Sequence, residues 1–108
     1  MPCMDYDKSV YRVLMKVPRG KVTTYKMIAC ALGKPLSFRA VGSALGRNPN
    51  LDNVPCYRVI KSDGSIGGYR GGILEKIRRL RADGINIKDG MILDLEKKLF
   101  TPKPLKRP

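Results

Sequence analysis

The sequence predicts a small α/β-containing domain that is mainly helical, with a helix-turn-helix of winged-helix-like form and short strands. Three observations carry this prediction. The chain has 108 residues, 43% of them hydrophobic, enough for one modest core and little more. Two short helical segments, Tyr25–Leu32 and Phe38 to about Gly46, are joined by a glycine-containing turn. The stretch after them reads as a short strand, a glycine-rich loop, one helix and a hairpin.

Each element has a local reason. Asp5 to Val17 reads as a first helix, because Val10, Val13, Leu14 and Val17 recur at helical spacing and Asp5 or Asp7 can cap its start. Pro18-Arg19-Gly20 stops it. Thr23 and Thr24 are good N-caps for the second helix, and Gly33 fits the left-handed position that ends it. Lys34-Pro35-Leu36 turns the chain, and Ser37 caps the third helix. Arg47 to Asn53 is a polar loop, and Cys56 to Lys61 reads as a short strand. After the turn Ser62–Ser65, the run Ile66–Gly72 is a flexible loop. Ile73 to Asp83 is a helix with Ile73, Ile77 and Leu80 on one face and Lys76, Arg78, Arg79 and Arg81 elsewhere; Gly84 ends it. Ile85–Ile87 and Met91–Leu93 flank an Asp-Gly turn as a hairpin. Residues 1–100 form the predicted domain; 101–108 form a basic Pro-rich tail or linker, extended or disordered, after which a fused or partner domain can follow.

Charge narrows the partners. The net charge is +13, from 22 basic and 9 acidic residues. That excess implies a polyanion, with nucleic acid favoured over a membrane surface. A Lys-rich surface from a hot environment is the competing explanation, but such surfaces usually balance Lys with Glu, and here they do not balance. No apolar run reaches the length of a membrane span, and no secretory signal is visible. Three cysteines (Cys3, Cys30, Cys56) form an odd set without metal spacing, which predicts neither a disulfide framework nor a metal site and fits a cytoplasmic, reducing setting. Cys30 falls on the apolar face of the second helix and reads as core; Cys3 lies near the terminus and reads as incidental.

Cys56 is the residue that points to chemistry. It lies in Val54-Pro55-Cys56-Tyr57-Arg58-Val59-Ile60, behind a proline and directly after the basic helix-turn-helix segment. A buried, inert thiol is the ordinary reading of such a cysteine; the setting suggests instead a nucleophile aimed at DNA.

From about Val17 to Gly84 the order of motifs resembles the active-site domain of the O6-alkylguanine-DNA alkyltransferases. The family's core reads Pro-Cys-His-Arg-Val; this chain has Tyr57 at the histidine position and no histidine anywhere. Members usually carry a further N-terminal domain ahead of the matching stretch. The resemblance implies irreversible, single-turnover transfer of an alkyl group from guanine O6 in double-stranded DNA to Cys56, by a monomer without cofactor. By residue match it makes Asp83 the carboxylate of a relay running Cys56, water, Tyr57, Asp83. A phenol of reference pKa about 10 is a poor base near neutrality, so nearby positive charge such as Arg58 can lower the thiol pKa independently. Packing is the competing role for Tyr57.

The match also implies that Asn48 bridges the turn and the cysteine motif, although an ordinary helix C-cap suits it too. By the same match Tyr25, Val59, Ile66 and Tyr69 are expected to line the alkyl pocket, with Gly71 among the glycines that let the backbone approach the base, and Tyr25 is expected also to help rotate the nucleotide. Arg70 stands where members often have a small hydroxyl residue; it binds phosphate or narrows the pocket. The resemblance makes Arg39 the finger expected to fill the gap left by the flipped base, with a plain phosphate contact as its competing role. The small residues Ala40, Gly42 and Ser43 seat the helix in the minor groove, with Arg47 in the DNA-contacting set. Two rivals stand beside this reading. Alkyltransferase-like proteins bind the lesion without transfer and usually have tryptophan at the cysteine position. A plain helix-turn-helix regulator needs neither the Pro-Cys run nor the loop after it.

Overall fold

The structure, a computed structural model, describes residues 3–104, with side chains from Tyr6 onward. Helix α1 spans Cys3–Leu14. Its apolar stripe is buried as expected: Val10, Val13, Leu14 and Val17 are at most 1% exposed. The helix begins and ends earlier than the periodicity suggested, since 15–17 turn back through Val17 N–H to the carbonyl of Leu14. Asp7 therefore lies inside the helix and caps nothing.

Strand β1 (Thr23–Thr24) leads directly into helix α2 (Tyr25–Ala31), and the Thr24 hydroxyl accepts from Met27 N–H at 3.0 Å as its N-cap. Gly33 closes α2 at φ +76°, a conformation that only glycine adopts without cost. Helix α3 spans Phe38–Gly46. Ser37 does not cap it; its hydroxyl instead donates back to the carbonyl of Lys34 at 2.7 Å, closing the interhelical turn. Tyr11 ties α1 to α3, donating to the Ala44 carbonyl at 2.6 Å.

The predicted strand at Cys56–Lys61 is shorter than expected. Cys56–Arg58 form a 3-10 turn, and only Val59–Ile60 are extended, as β2. The proline at 55 explains the difference: it precedes the turn with no N–H to give a ladder. Strand β2 pairs in parallel with β1, Thr23 opposite Val59 and Thr24 opposite Ile60. Successive strand residues point to opposite sides, so Val59 enters a first core and Ile60 a second. The first core gathers α1, α2, α3 and Cys56; the second gathers Val22, Ile60, Ile66, Leu80, Ile85, Ile87 and Ile92.

Helix α4 (Ile73–Ala82) corrects the reading of its own faces. Leu80 is fully buried, but Ile73 is 45% exposed, and Lys76 is 0% exposed. The predicted hairpin is present as β3 (Ile87–Lys88) and β4 (Met91–Ile92), with Asp89 and Gly90 both at positive φ. A short helix α5 (Leu95–Lys98) follows, which periodicity did not predict. Leu99 and Phe100 return to Val22, with Val22 N–H to the Lys98 carbonyl and Phe100 N–H to the Val22 carbonyl at 2.8 and 2.7 Å. Residues 101–104 run without regular structure, and Pro102 is buried; the rest of the predicted tail, 105–108, lies outside the described residues.

Candidate active site

Cys56 opens the 3-10 turn and is 5% exposed, at the edge of the first core. It lines a cavity of about 180 Å³ with Tyr25, Gly42, Leu45, Gly46, Gly68, Tyr69 and Arg70. Helices α2 and α3 thus supply one wall, and the glycine-rich loop supplies the other.

Asn48 holds the thiol in place. Its side chain is fully buried, and its amide nitrogen donates to Cys56 Sγ at 2.8 Å and to the Val54 carbonyl at 3.2 Å. Its amide oxygen accepts from Asn50 N–H at 2.9 Å. Two acceptors on one side and a donor on the other fix the orientation of the amide. Arg70 donates to the backbone carbonyl of the same residue. Burial pushes the Cys56 thiol above its ordinary value, and the Asn48 hydrogen bond and the charges of Lys76 and Arg70 oppose that rise. Arg58, named from the sequence as a possible source of positive charge, points elsewhere.

Tyr57 and Cys56 face different cores. Tyr57 packs against the second core, and its hydroxyl donates to Asp83 Oδ2 at 2.8 Å while accepting from Arg58 Nη2 at 2.8 Å. Arg58 Nε also reaches Asp83 Oδ2 at 3.1 Å, and Arg58 Nη1 donates to the Val17 carbonyl at 2.9 Å. Arg19 pairs with Asp83 Oδ1 at 3.2 Å. Asp83 therefore ties the end of α4 to the 3-10 turn and to the chain leaving α1. Burial, then the Asp83 carboxylate, pushes the Tyr57 phenol up, so near neutrality it is a donor.

The pocket residues divide. Tyr25, Tyr69 and Arg70 line the cavity; Val59, Ile66 and Gly71 do not. Val59 and Ile66 are core residues, 0% and 5% exposed, because β2 and the loop turn their side chains inward. Gly71 supports the cavity indirectly: a Cβ there would stand 2.6 Å from Cε2 of Tyr69, so the glycine leaves room for that ring. Gly67 is required for its backbone instead: it sits at φ +69°, and a Cβ there would meet the Tyr25 hydroxyl only at an ordinary 3.4 Å. The Tyr69 hydroxyl is buried without a hydrogen-bond partner among the described residues. Burial pushes the Tyr25 and Tyr69 phenols up, which keeps both protonated near neutrality.

Arg39, Ala40, Ser43 and Gly46 are exposed along one face of α3, with Gly42 half-buried beside them. The positions i, i+1, i+4 and i+7 share a face. Arg39 makes no hydrogen bond or ion pair among the described residues. Arg47 differs: its guanidinium grips Asp7 through two hydrogen bonds of 2.8 Å, and these hold the Asp7 carboxyl below its usual range. Cys30, expected in the core, is exposed, and the side chain of Cys3 lies outside the described residues. Among the described residues no cluster of His, Cys, Asp or Glu is suited to a metal ion, and no helix is long and apolar enough to cross a membrane.

Sequence reasoning missed Lys76. The spacing that marked Ile73 and Leu80 also includes position 76, so the signal was in the stripe itself. Leu45, Gly46 and Gly68 were missed as lining residues because each carries no chemistry of its own.

Residues 5–85 match the family model described as 6-O-methylguanine DNA methyltransferase, DNA binding domain. A Bifunctional methyltransferase/endonuclease from Picrophilus torridus is 50% identical over 99% of this chain and 37% of its own length. A Methylated-DNA--protein-cysteine methyltransferase from Methanosarcina barkeri is 44% identical over 78% of this chain and 53% of its own. The chain thus spans between about a third and a half of the curated relatives it matches. Among solved structures, S. pombe Atl1 in complex with damaged DNA containing O6-carboxymethylguanine superposes with TM-score 0.82 at 31% identity, over 94% of this chain and 100% of that one. The O6-methylguanine-DNA methyltransferase of Pyrococcus kodakaraensis gives 0.68 at 48% identity, over 74% of this chain and 46% of that one. The chain therefore belongs to the O6-methylguanine-DNA methyltransferase family, and the match runs through the family's DNA-binding domain.

Proposed function

We propose that this chain carries the active-site domain of a DNA repair alkyltransferase and moves the alkyl group of O6-alkylguanine in double-stranded DNA onto Cys56. The observation that carries the reading is the Cys56 thiol, held by Asn48 in a cavity whose opposite wall belongs to the helix-turn-helix.

The charge of the chain and the exposed face of α3 support DNA as the partner. The lesion is inside the base stack, so the nucleotide must leave the duplex to reach a cavity. Arg39, exposed on α3 and without a hydrogen bond or ion pair among the described residues, would fill the vacated position. In the pocket the thiolate attacks the alkyl carbon, a C–S bond forms and the C–O bond breaks, and the bonding pair stays on the guanine. Tyr25 and Tyr69, both protonated near neutrality, supply the donors for that charge. The thioether is stable, so each molecule acts once and no cofactor takes part. Tyr57, Arg58 and Asp83 brace the 3-10 turn that presents Cys56.

A second reading, lesion binding without transfer, is favoured by the close superposition on S. pombe Atl1. The two separate on the DNA product. A duplex with O6-methylguanine in a restriction site should regain cleavage after incubation with one equivalent of the chain, because the base returns to guanine. Tight binding of the duplex with no recovery of cleavage would select the second reading.

A further inference from the structure

We propose that Lys76 is the cation that stabilises the Cys56 thiolate in this chain, acting from inside the protein where the family places an imidazole. The proposal rests on the reading of Cys56 as nucleophile.

Lys76 is the largest fully buried side chain among the described residues. An ammonium group is rarely taken out of water without a carboxylate partner, and among the described residues Lys76 has none. Its Nζ donates to the Val59 carbonyl at 2.7 Å and to the Gly68 carbonyl at 3.0 Å. Those two carbonyls belong to the elements on either side of the thiol. Val59 directly follows the turn that Cys56 opens, and its N–H bonds to the Cys56 carbonyl. Gly68 lines the same cavity as Cys56. The ammonium is thus pinned between the strand that follows Cys56 and the loop that shares its cavity, in a medium where charges attract strongly. Burial pulls Lys76 down to about 8, and the Cys56 charge acts against that fall. The same coupling, seen from the other partner, opposes the rise that burial gives the thiol.

The alternative route through Tyr57 meets an obstacle in the geometry. The Tyr57 hydroxyl is already committed to Asp83 as donor and to Arg58 as acceptor. Passing a proton on to Asp83 would neutralise a carboxylate that Arg58 and Arg19 both hold. In the Lys76 arrangement the thiol proton leaves to solvent, Lys76 keeps its own proton, and the thiolate is the species that attacks. Lys76 touches no substrate; it acts through Cys56 and is a positioning residue. The other groups whose charge bears on Cys56 are Arg70 and Tyr69 of the loop, Tyr25 of α2 and Tyr11 of α1. The three phenols stay neutral near pH 7, and Arg70 stands at the exposed mouth of the cavity.

The test is the rate of alkylation of Cys56 by iodoacetamide against pH, read by mass spectrometry on the peptide that contains it, without DNA. Two coupled groups titrate in two macroscopic steps. The unmodified chain should therefore show a rate that rises in two steps separated by a plateau. Lys76→Met should collapse this to a single step at higher pH and slow the reaction about tenfold at pH 7, one unit of thiol pKa. Tyr57→Phe should keep the two-step shape. A merely structural lysine predicts an unshifted profile in Lys76→Met, whatever the change in overall rate, and that result overturns the proposal. So does a two-step profile lost in Tyr57→Phe and kept in Lys76→Met. Should Lys76→Met not fold, a lysine ¹³Cε NMR titration decides: the Lys76 midpoint must fall in Cys56→Ser, where the thiolate is gone, and a constant midpoint refutes the coupling. Because no DNA enters either measurement, absent alkyl transfer would count against the repair reading and leave this result standing.

Discussion

Replacing Asn48 probes the site at the point where stability and reactivity meet. Asn48→Ala removes the donor to Cys56 Sγ, the donor to the Val54 carbonyl and the acceptor for Asn50 N–H, from a side chain with no exposed surface. Asn50 is exposed and recovers water; the thiol is buried and Val54 half-buried. Leaving a buried polar group unpaired costs about 1–3 kcal/mol, and the lost side-chain volume adds to it, so unfolding free energy should drop by roughly 2–4 kcal/mol. That is a large share of the roughly 5–15 kcal/mol typical of a domain. The thiol responds separately. A hydrogen bond to a charged group contributes roughly 1.5–3 kcal/mol, and its loss raises the thiolate midpoint by about one to two pH units. Asn48→Asp separates the two effects: the carboxylate keeps the shape and still accepts from Asn50, yet it places a like charge on the thiolate. Its midpoint should rise at least as far, and its stability should fall further than in the alanine variant, because the buried carboxylate cannot donate to the Val54 carbonyl. Urea unfolding and peptide-resolved alkylation against pH measure both quantities. An alanine variant within about 0.5 kcal/mol of the parent, with an unmoved thiol midpoint, would refute the claim that Asn48 holds the sulfur.

Three further outcomes follow from the geometry. Gly71→Ala puts a methyl group 2.6 Å from the Tyr69 ring, so the ring must swing from its place in the cavity wall; single-turnover transfer should slow while the urea midpoint hardly moves. Arg39→Ala should weaken capture of a lesion-bearing duplex more than of intact duplex, read by fluorescence anisotropy, and equal losses would reduce Arg39 to a phosphate contact. Binding should fall on the order of 100-fold between low and moderate salt if roughly 4–6 phosphates are contacted, and a flat salt series would count against DNA as the partner.

The helix-turn-helix, the capping Thr24, the Gly33 stop and the Asp-Gly hairpin were legible in the sequence because each rests on a local preference. Turn chemistry and the 3.6-residue period act over a few residues and need no partner. What was not legible depends on distant contacts. The 3-10 turn at Cys56–Arg58 owes its shape to Pro55 and to the grip of Asp83 on Tyr57 and Arg58. Helix α5 is a single turn and has no period to read. The pairing of Arg47 with Asp7, forty residues earlier, could not be read from any local pattern. Lys76 was read as lying off the face of Ile73, Ile77 and Leu80, and only the two carbonyls at its tip make its burial tolerable. Within the site, the thiol, Asn48, Tyr25, Tyr69 and Arg70 were found by motif. Val59 and Ile66 do not line the cavity because β2 turns Val59 into the first core and the loop turns Ile66 into the second.

The central claim is that the sulfur of Cys56 accepts the alkyl group. One equivalent of the chain, mixed with a duplex carrying a single O6-methylguanine and then digested for peptide mass spectrometry, tests this most directly. The account predicts one added methyl group per molecule, on the peptide that contains Cys56, and none in Cys56→Ala although that variant still binds the duplex. Methylation on a peptide containing Cys3 or Cys30, or methylation that persists in Cys56→Ala, would contradict it.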